Sequence, residues 1–224
     1  MATAIIGIGN IGGTVARQLA TAGEPLILAA GDPEAAKKLA AEIGRNAQAA
    51  TSNRDAIERA STVVLALWLD PMKSVIQEVA DLLPGKVVID TSNPIAVGAD
   101  GSISRTLPEG ESSGELVSSL LPGGTRYAKA FGTLSAGLLA SSANRSPDSA
   151  VLFYATDDAE ARTEVERLIT AAGFAAVRAG GVDACVRIEV GGDLHAFGGL
   201  NGRLVDRKEA EALVRSPMEP SGQR

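Results

Sequence analysis

AIIGIGNIGGTVARQLATAG, residues 4–23, runs from an apolar stretch through G-x-G-x-x-G into a stretch with helical periodicity. Gly7, Gly9 and Gly12 in that setting form the pattern of a dinucleotide-binding turn. The first glycine permits the tight turn, the second lets backbone approach a pyrophosphate, and the third lets the helix pack closely on the strand. Glycines serve tight turns that hold no ligand as well, so the surroundings decide the reading. Here a strand precedes the glycines. Val15, Ala16, Leu19 and Ala20 then share one helical face, and a second apolar strand, PLILAA (25–30), follows. The helix N-terminus would turn its unpaired N–H groups toward the anion.

The same alternation continues along the chain. DPEAAKKLAAEIG (32–44) is a helix, with Asp32 as N-cap, Pro33 at the first position and Gly44 at the exit. AQAAT is a weak third strand and RDAIERA a short helix. TVVLALW (62–68) is the strongest strand, and Asp70-Pro71 reads as the start of the helix MKSVIQEVADLL. KVVID (86–90) is the fifth strand, followed by a Gly/Ser/Asp-rich loop over 91–111, a helix at SSGELVSSLL and a sixth strand, RYAKAF (126–131). SAVLFYAT (149–156), a helix opened by a capping box at Asp157 and Glu160, and FAAVRAG complete the pattern.

Strands apolar on both faces and separated by helices predict an α/β fold: a doubly wound, mostly parallel sheet of about eight strands, the Rossmann arrangement. Residues 1–180 would form this NAD(P)-binding domain, 181–215 a short Gly-rich C-terminal extension acting as lid or dimer contact, and 216–224 a disordered tail.

Composition narrows the function. The 224 residues are 45% apolar, 21% charged and only 3% aromatic, so the core must come from Ala, Val, Leu and Ile. The net charge of −6, with no block of Lys or Arg, argues against nucleic acid or an anionic membrane surface as the main partner. The single cysteine, Cys185, excludes an internal disulfide and a Cys-based metal cluster, and suits a reducing cytoplasm. The N-terminus lacks the basic region of a signal peptide, and the longest apolar run, VVLALWL, is too short to span a bilayer. The expected partners are therefore a dinucleotide and a small redox substrate or cofactor, with no metal site.

Candidate site residues follow from the fold. An acid roughly 20 positions past the glycines would bind the ribose 2′-OH of NAD. Asp32 stands there, although capping the helix would occupy it equally well. Lys37 and Lys38 would meet a 2′-phosphate of NADP, or else be solvated surface lysines. Residue chemistry alone leaves NAD against NADP open. Leu67 and Trp68 leave the fourth strand into the crevice, Trp68 either stacking on a ring or filling the core. Thr91, Ser92, Asn93 and Pro94 leave the fifth, with polar groups suited to a nicotinamide carboxamide or ribose, or to an ordinary turn. His195, the one histidine, lies in GGDLHAFGGLNG as either a structural residue or a general acid/base. Cys185 reads as a small buried apolar residue.

Four stretches together, IIGIGNIGGTVARQLATAG, VVIDTSNP, GELVSSLLPGGTRYAKAFGTL and RIEVGGDLHAFGGLNGRLVD, resemble the coenzyme F-420-dependent NADP oxidoreductase family. The likeness covers residues 3 to about 178, the last of the four stretches lying beyond it, with KAF-x-T its most telling element. The resemblance implies hydride transfer between NADP(H) and a deazaflavin F-420 or flavin, the two rings stacked in the crevice. It also implies a cofactor site at Gly7, Gly9, Asn10, Ile11 and Gly12, at Trp68, and at Asn93 and Pro94. Two positions depart from it: Ala30-Gly31 stands where the family carries the Ser-Arg that grips the 2′-phosphate, and Gly132 replaces the Asn of KAFNT. Related β-hydroxyacid dehydrogenases add a helical substrate domain with a catalytic lysine, for which the stretch after residue 178 is too short.

The expected function is an oxidoreductase passing hydride between NADP(H) and a deazaflavin, flavin or small carbonyl acceptor. Such transfer needs mainly positioning and exclusion of water, which suits a chain with no visible acid/base constellation. The alternative is a non-catalytic NAD(P)-binding sensor. RIEVGGDLHAFGGLNG is expected to begin as a strand at 185–190. It would then fold over the sheet's C-terminal edge or across a dimer interface, bringing His195 toward the crevice.

Overall fold

A computed structural model describes residues 2–100 and 102–216; the tail expected at 216–224 lies outside them except for Ser216. The first half is built of β1 (Thr3–Ile6), α1 (Asn10–Thr21), β2 (Leu26–Ala29), α2 (Pro33–Ile43), β3 (Ala47–Ala49), α3 (Asn53–Glu58), β4 (Thr62–Leu65), α4 (Leu69–Val79) and β5 (Val87–Asp90). A short hairpin, β6 (Ile95–Val97) with β7 (Ile103–Arg105), interrupts the alternation. Then come α5 (Ser113–Leu120), β8 (Arg126–Lys129), α6 (Ala136–Ser141), β9 (Val151–Ala155), α7 (Ala159–Ala171), β10 (Ala175–Gly180), α8 (Cys185–Ile188) and α9 (Arg207–Arg215).

The sheet has eight strands in the order β10-β9-β8-β5-β4-β1-β2-β3. From β3 to β8 every pairing is parallel, with the chain reversing direction across the sheet between β1 and β4. This is the doubly wound Rossmann order. β9 turns antiparallel to β8 through the single pair Lys129 with Ala155, and β10 lies parallel to β9. Alternate strand residues face opposite sides, so the sheet builds two cores. Ile5, Leu28, Val64 and Ile89 meet Val15, Leu19, Leu39, Leu139 and Val165 from α1, α2, α6 and α7. Ile6, Ile27, Val63 and Val88 meet Ile57, Met72, Ile76 and Val117 from α3, α4 and α5. Each such aliphatic side chain contributes about 1.5–3 kcal/mol of burial.

Several local expectations change. Residues 185–188 form helix α8 rather than a strand: Cys185 and Ile188 point into the second core at helical spacing. The cap of α7 is Asp158, which accepts from Ala161 N–H at 2.8 Å, while Asp157 accepts from Val182 N–H at 3.0 Å. α4 starts at Leu69 after Trp68, which places Asp70 and Pro71 inside its first turn. The loop 91–111 holds the hairpin, and a further six-residue helix, α6, lies between β8 and β9. Residues 181–215 form no separate layer: Cys185, Ile188, Leu194, Leu200, Val205 and Ala210 are buried in the second core. Among the described residues, no helix is long and apolar enough to cross a membrane.

Candidate active-site crevice

Each glycine of the first turn has a separate steric reason. Gly7 has φ +90°, and a Cβ there would lie 2.4 Å from the Ala66 carbonyl oxygen. At Gly12 a Cβ would lie 2.0 Å from the Gly7 carbonyl oxygen, so α1 can rest on β1 only without one. At Gly9 a Cβ would meet nothing within 4 Å. Two glycines are therefore demanded by the fold, while the third borders open space. α1 begins after Gly9 with no side-chain cap and no acid in its first turn, which leaves its positive end to a ligand.

That open space belongs to a crevice of about 470 Å³ at the carboxyl ends of β1, β4, β5 and β8, where the strand order reverses. Gly9, Asn10 and Ile11 line it; Gly7 and Gly12 shape the turn behind. Leu67 and Trp68 line it from the β4 exit, and Trp68 is 57% exposed, so it is no core residue. Thr91, Ser92 and Asn93 line it from the β5 exit. Pro94 is buried beneath the hairpin, its carbonyl accepting from Thr106 N–H at 2.7 Å. Val190, His195 and Phe197 reach it from the C-terminal segment, as the folding-back of that segment predicts.

Two polar residues at the crevice are already committed to backbone. Asn93 donates through Nδ2 to Gly132 O at 3.0 Å and accepts at Oδ1 from Val190 N–H at 2.8 Å, fastening the C-terminal segment to the β5 and β8 exits. A side chain at Gly132 would put Cβ 2.7 Å from the Thr91 carbonyl oxygen, which explains glycine where the resemblance implies Asn. His195 is buried; its Nδ1 accepts from Phe197 N–H at 2.8 Å. Nε2 must then carry the proton, and it donates to Gly132 O at 2.8 Å. Neither ring nitrogen is left for acid–base work on a ligand, which tells against the catalytic reading of His195 and for the structural one.

Burial pushes the His195 pKa down to about 4, its hydrogen bond to Gly132 O opposing only in part. The folded value lies below the ordinary one, so the unfolded chain binds the proton more readily. This stability is complete above about pH 6.5 and is lost as pH falls toward 4. As this is the only histidine, we expect a stability loss of about 2 kcal/mol on going from roughly pH 7 to pH 5. Urea melts should show that slope flattened in His195→Gln; parallel profiles for the two proteins would contradict it.

The β2 exit carries the remaining candidates, and none of Ala30, Gly31, Asp32 or Lys37 lines the crevice. Asp32 caps α2, accepting from Glu34 N–H at 3.0 Å. Lys37 pairs with Glu34 at 2.8 Å on an exposed face.

A buried ionic cluster that the sequence reading missed lies beside the crevice. Lys129 on β8 donates to Asp90 Oδ2 at 3.0 Å and to Ser113 Oγ at 3.1 Å, with Glu189 Oε1 3.5 Å away. Asp90 also accepts from Tyr127 OH at 2.9 Å and from Ser92 N–H at 2.7 Å. Glu189 accepts from Ser112 Oγ, Ser113 Oγ and Gly114 N–H at 2.8–2.9 Å. Burial alone would lower the Lys129 pKa, but the carboxylates of Asp90 and Glu189 outweigh it and hold it above the ordinary lysine value. The cluster ties β5, β8, the start of α5 and the C-terminal segment into one rigid wall. Its available signal was a charge inside each of two apolar strands, KVVID and RYAKAF. Cys185 beside it is buried and pushed up to about 12, chiefly by burial, as a neutral thiol. Among the described residues, no group of three or more His, Cys, Asp or Glu could hold a metal ion.

The sequence profile described as NADP oxidoreductase, coenzyme F420-dependent, matches residues 2–94. An F420-dependent NADP reductase of Methanothermobacter thermautotrophicus is 33% identical over 148 residues, 62% of this chain and 64% of that protein. The chain thus covers less than two thirds of that relative's length. Among solved structures, a hypothetical protein of Sinorhizobium meliloti is similar at TM-score 0.79 and 30% identity, over 92% of this chain and 96% of that one. A putative F420-dependent NADP-reductase of Arthrobacter sp. FB24 is similar at TM-score 0.70 and 23% identity, over 81% and 86% of the two chains, a likeness of fold.

Proposed function

We propose that this chain, whose residues 2–94 match the sequence profile of coenzyme F420-dependent NADP oxidoreductases, is an oxidoreductase passing hydride between NADP(H) and a deazaflavin, flavin or small carbonyl acceptor. The observation that carries this reading is the uncapped α1 N-terminus beside the open face of Gly9, in a crevice lined mostly by apolar side chains. In the reductive direction, NADPH supplies two electrons and a hydrogen nucleus to the acceptor, and a proton from solvent balances the reduced product. The N–H groups at the start of α1 hold the pyrophosphate. Leu67, Leu134 and Val190 exclude water around the nicotinamide, while Asn93 and His195 keep the wall in place. Positioning and a dry site are what such a transfer asks of a protein.

The test is NADPH oxidation followed by nicotinamide absorbance with a deazaflavin, FMN and simple carbonyls as acceptors. Turnover on at least one is expected. Dinucleotide binding without turnover on any would favour the sensor reading instead.

For the dinucleotide itself, Lys37 and Lys38 of α2 are the cations offered to a 2′-phosphate, and Glu34 already shares the charge of Lys37. An exposed pair of this kind contributes little, because water and salt screen it. NADP should therefore outbind NAD only about two- to fivefold. Lys37→Ala with Lys38→Ala should bring the two affinities together; equal affinities before the substitutions would refute this.

A further inference from the structure

A cleft of about 260 Å³ lies at the β10 edge of the sheet and shares no lining residue with the crevice. α7 packs into the first core and α9 into the second, on opposite faces of the sheet. A cleft lined by both must therefore cross the edge strand between them. Arg162 and Glu166 reach it from α7, and Arg207, Glu211 and Arg215 from α9, in each helix at the four-residue spacing that aligns side chains. Ala176 and Arg178 of β10 line it between the two helices.

Backbone at that edge is uncommitted. β10 ends the strand order, and Ala175 N–H donates to Ala150 O at 2.9 Å, so residues 175 and 177 bond to β9 in the parallel ladder. The N–H groups of Ala176 and Arg178 turn to the free edge, where no strand among the described residues pairs with them.

Charge is concentrated there against the trend of the chain. Four guanidinium groups face two carboxylates, an excess of two positive charges in a chain whose net charge is −6. Both carboxylates are matched. Glu166 accepts from the buried Tyr154 hydroxyl and from Arg162 Nε at 3.2 Å, and Glu211 lies 3.9 Å from Arg207. The other two arginines have no carboxylate in the cleft to themselves. Arg178 donates Nε and Nη2 to a neutral group, the Thr156 carbonyl oxygen, at 3.1 and 2.8 Å. Its nearest carboxylate, Asp157, stands outside the cleft at 3.9 Å. Arg215 pairs with no carboxylate among the described residues. Gathering like charges from three elements is unfavourable, and a bound anion offsets it.

We infer that this cleft binds the phosphate group of a small molecule, at a site separate from the crevice. Two unmatched guanidinium groups balance the charge of about −1.5 to −2 that a phosphate monoester carries at neutral pH. Their planar forks meet its oxygens two at a time, and the edge N–H groups add donors. The volume falls short of the roughly 300–1,000 Å³ usual for drug-sized ligands, so only a small molecule fits.

Inorganic phosphate is the probe, titrated calorimetrically into the full chain at constant ionic strength, with NADP⁺ saturating to keep phosphate off the glycine turn. Saturable binding with Kd of about 5 mM or tighter is expected. Arg215→Gln and Arg178→Gln, both at exposed positions, should each weaken it at least about fivefold, and the double variant should remove it. Arg203→Gln is the contrast: that arginine pairs with Glu209 outside the cleft, so phosphate affinity should stay the same. NADP⁺ affinity should not change in any of these variants, since none of the three arginines lines the crevice.

No saturable binding below about 5 mM would overturn the inference. So would binding that survives the double substitution, because the phosphate would then sit at the glycine turn or on general surface charge. Succinate binding more tightly than phosphate would replace the phosphate assignment with a dicarboxylate one. A chain that sediments as a dimer and turns monomeric in Arg215→Gln would show the cleft filled by protein, which also overturns the site.

Discussion

Gly9→Val is expected to yield a folded protein that has lost its dinucleotide. A Cβ at Gly9 would meet no protein atom within 4 Å, so thermal melting should stay close to that of the unsubstituted chain. The branches would instead fill the space where a pyrophosphate reaches the N-terminus of α1. Loss of two charge-assisted N–H contacts costs roughly 3 kcal/mol or more, at least about a hundredfold in Kd. Gly12→Ala supplies the contrast. Its Cβ would stand 2.0 Å from the Gly7 carbonyl oxygen, forcing α1 off β1. Overpacking of this kind costs about 1–3 kcal/mol or more, so that variant should lose stability and affinity together. Isothermal titration beside a melt separates the two. Unchanged NADP⁺ affinity in a folded Gly9→Val protein would remove the dinucleotide assignment.

Lys129→Met is expected to be the most destabilising single change near the site. It leaves Asp90 and Glu189 buried without their cation, a situation that costs about 3–5 kcal/mol. For a chain of this size that corresponds to a fall of roughly 10 °C in Tm. The double variant Lys129→Met with Glu189→Gln should recover part of the loss, since one of the orphaned charges is gone. A single variant that melts with the unsubstituted protein would show that the cluster holds nothing together. The same cluster changes what truncation after residue 182 would mean. Because Ile188, Leu194, Leu200 and Ala210 belong to the second core, that truncation should unfold the protein, whereas a detachable lid could be removed without harm.

What was legible at sequence level came from short-range chemistry. Residues 4–30 have strand, turn, helix and strand in an order that only a βαβ unit satisfies, and the glycine spacing located the crevice. Asp32-Pro33 and Gly44 bounded α2 correctly because caps are local interactions. The same locality misled where neighbouring acids compete: Asp157 and Asp158 are indistinguishable by type, and only the position of Val182 assigns one away from the cap.

Amino-acid order by itself therefore determined the doubly wound α/β class, the glycine turn at the crevice and the strand exits that line it. Tertiary structure decided the rest. The antiparallel direction of β9 appears only in its pairing with β8, since a strand apolar on both faces reads the same either way. Whether His195 is an acid or a brace depends on two backbone groups, Phe197 N–H and Gly132 O, the latter 63 residues away. Lys129, Asp90 and Glu189 look like isolated charges in separate segments. Their meaning lies in distances of 3.0 and 3.5 Å that close only when β5, β8 and the C-terminal segment meet, because burial makes a lone charge costly and a partnered one tolerable.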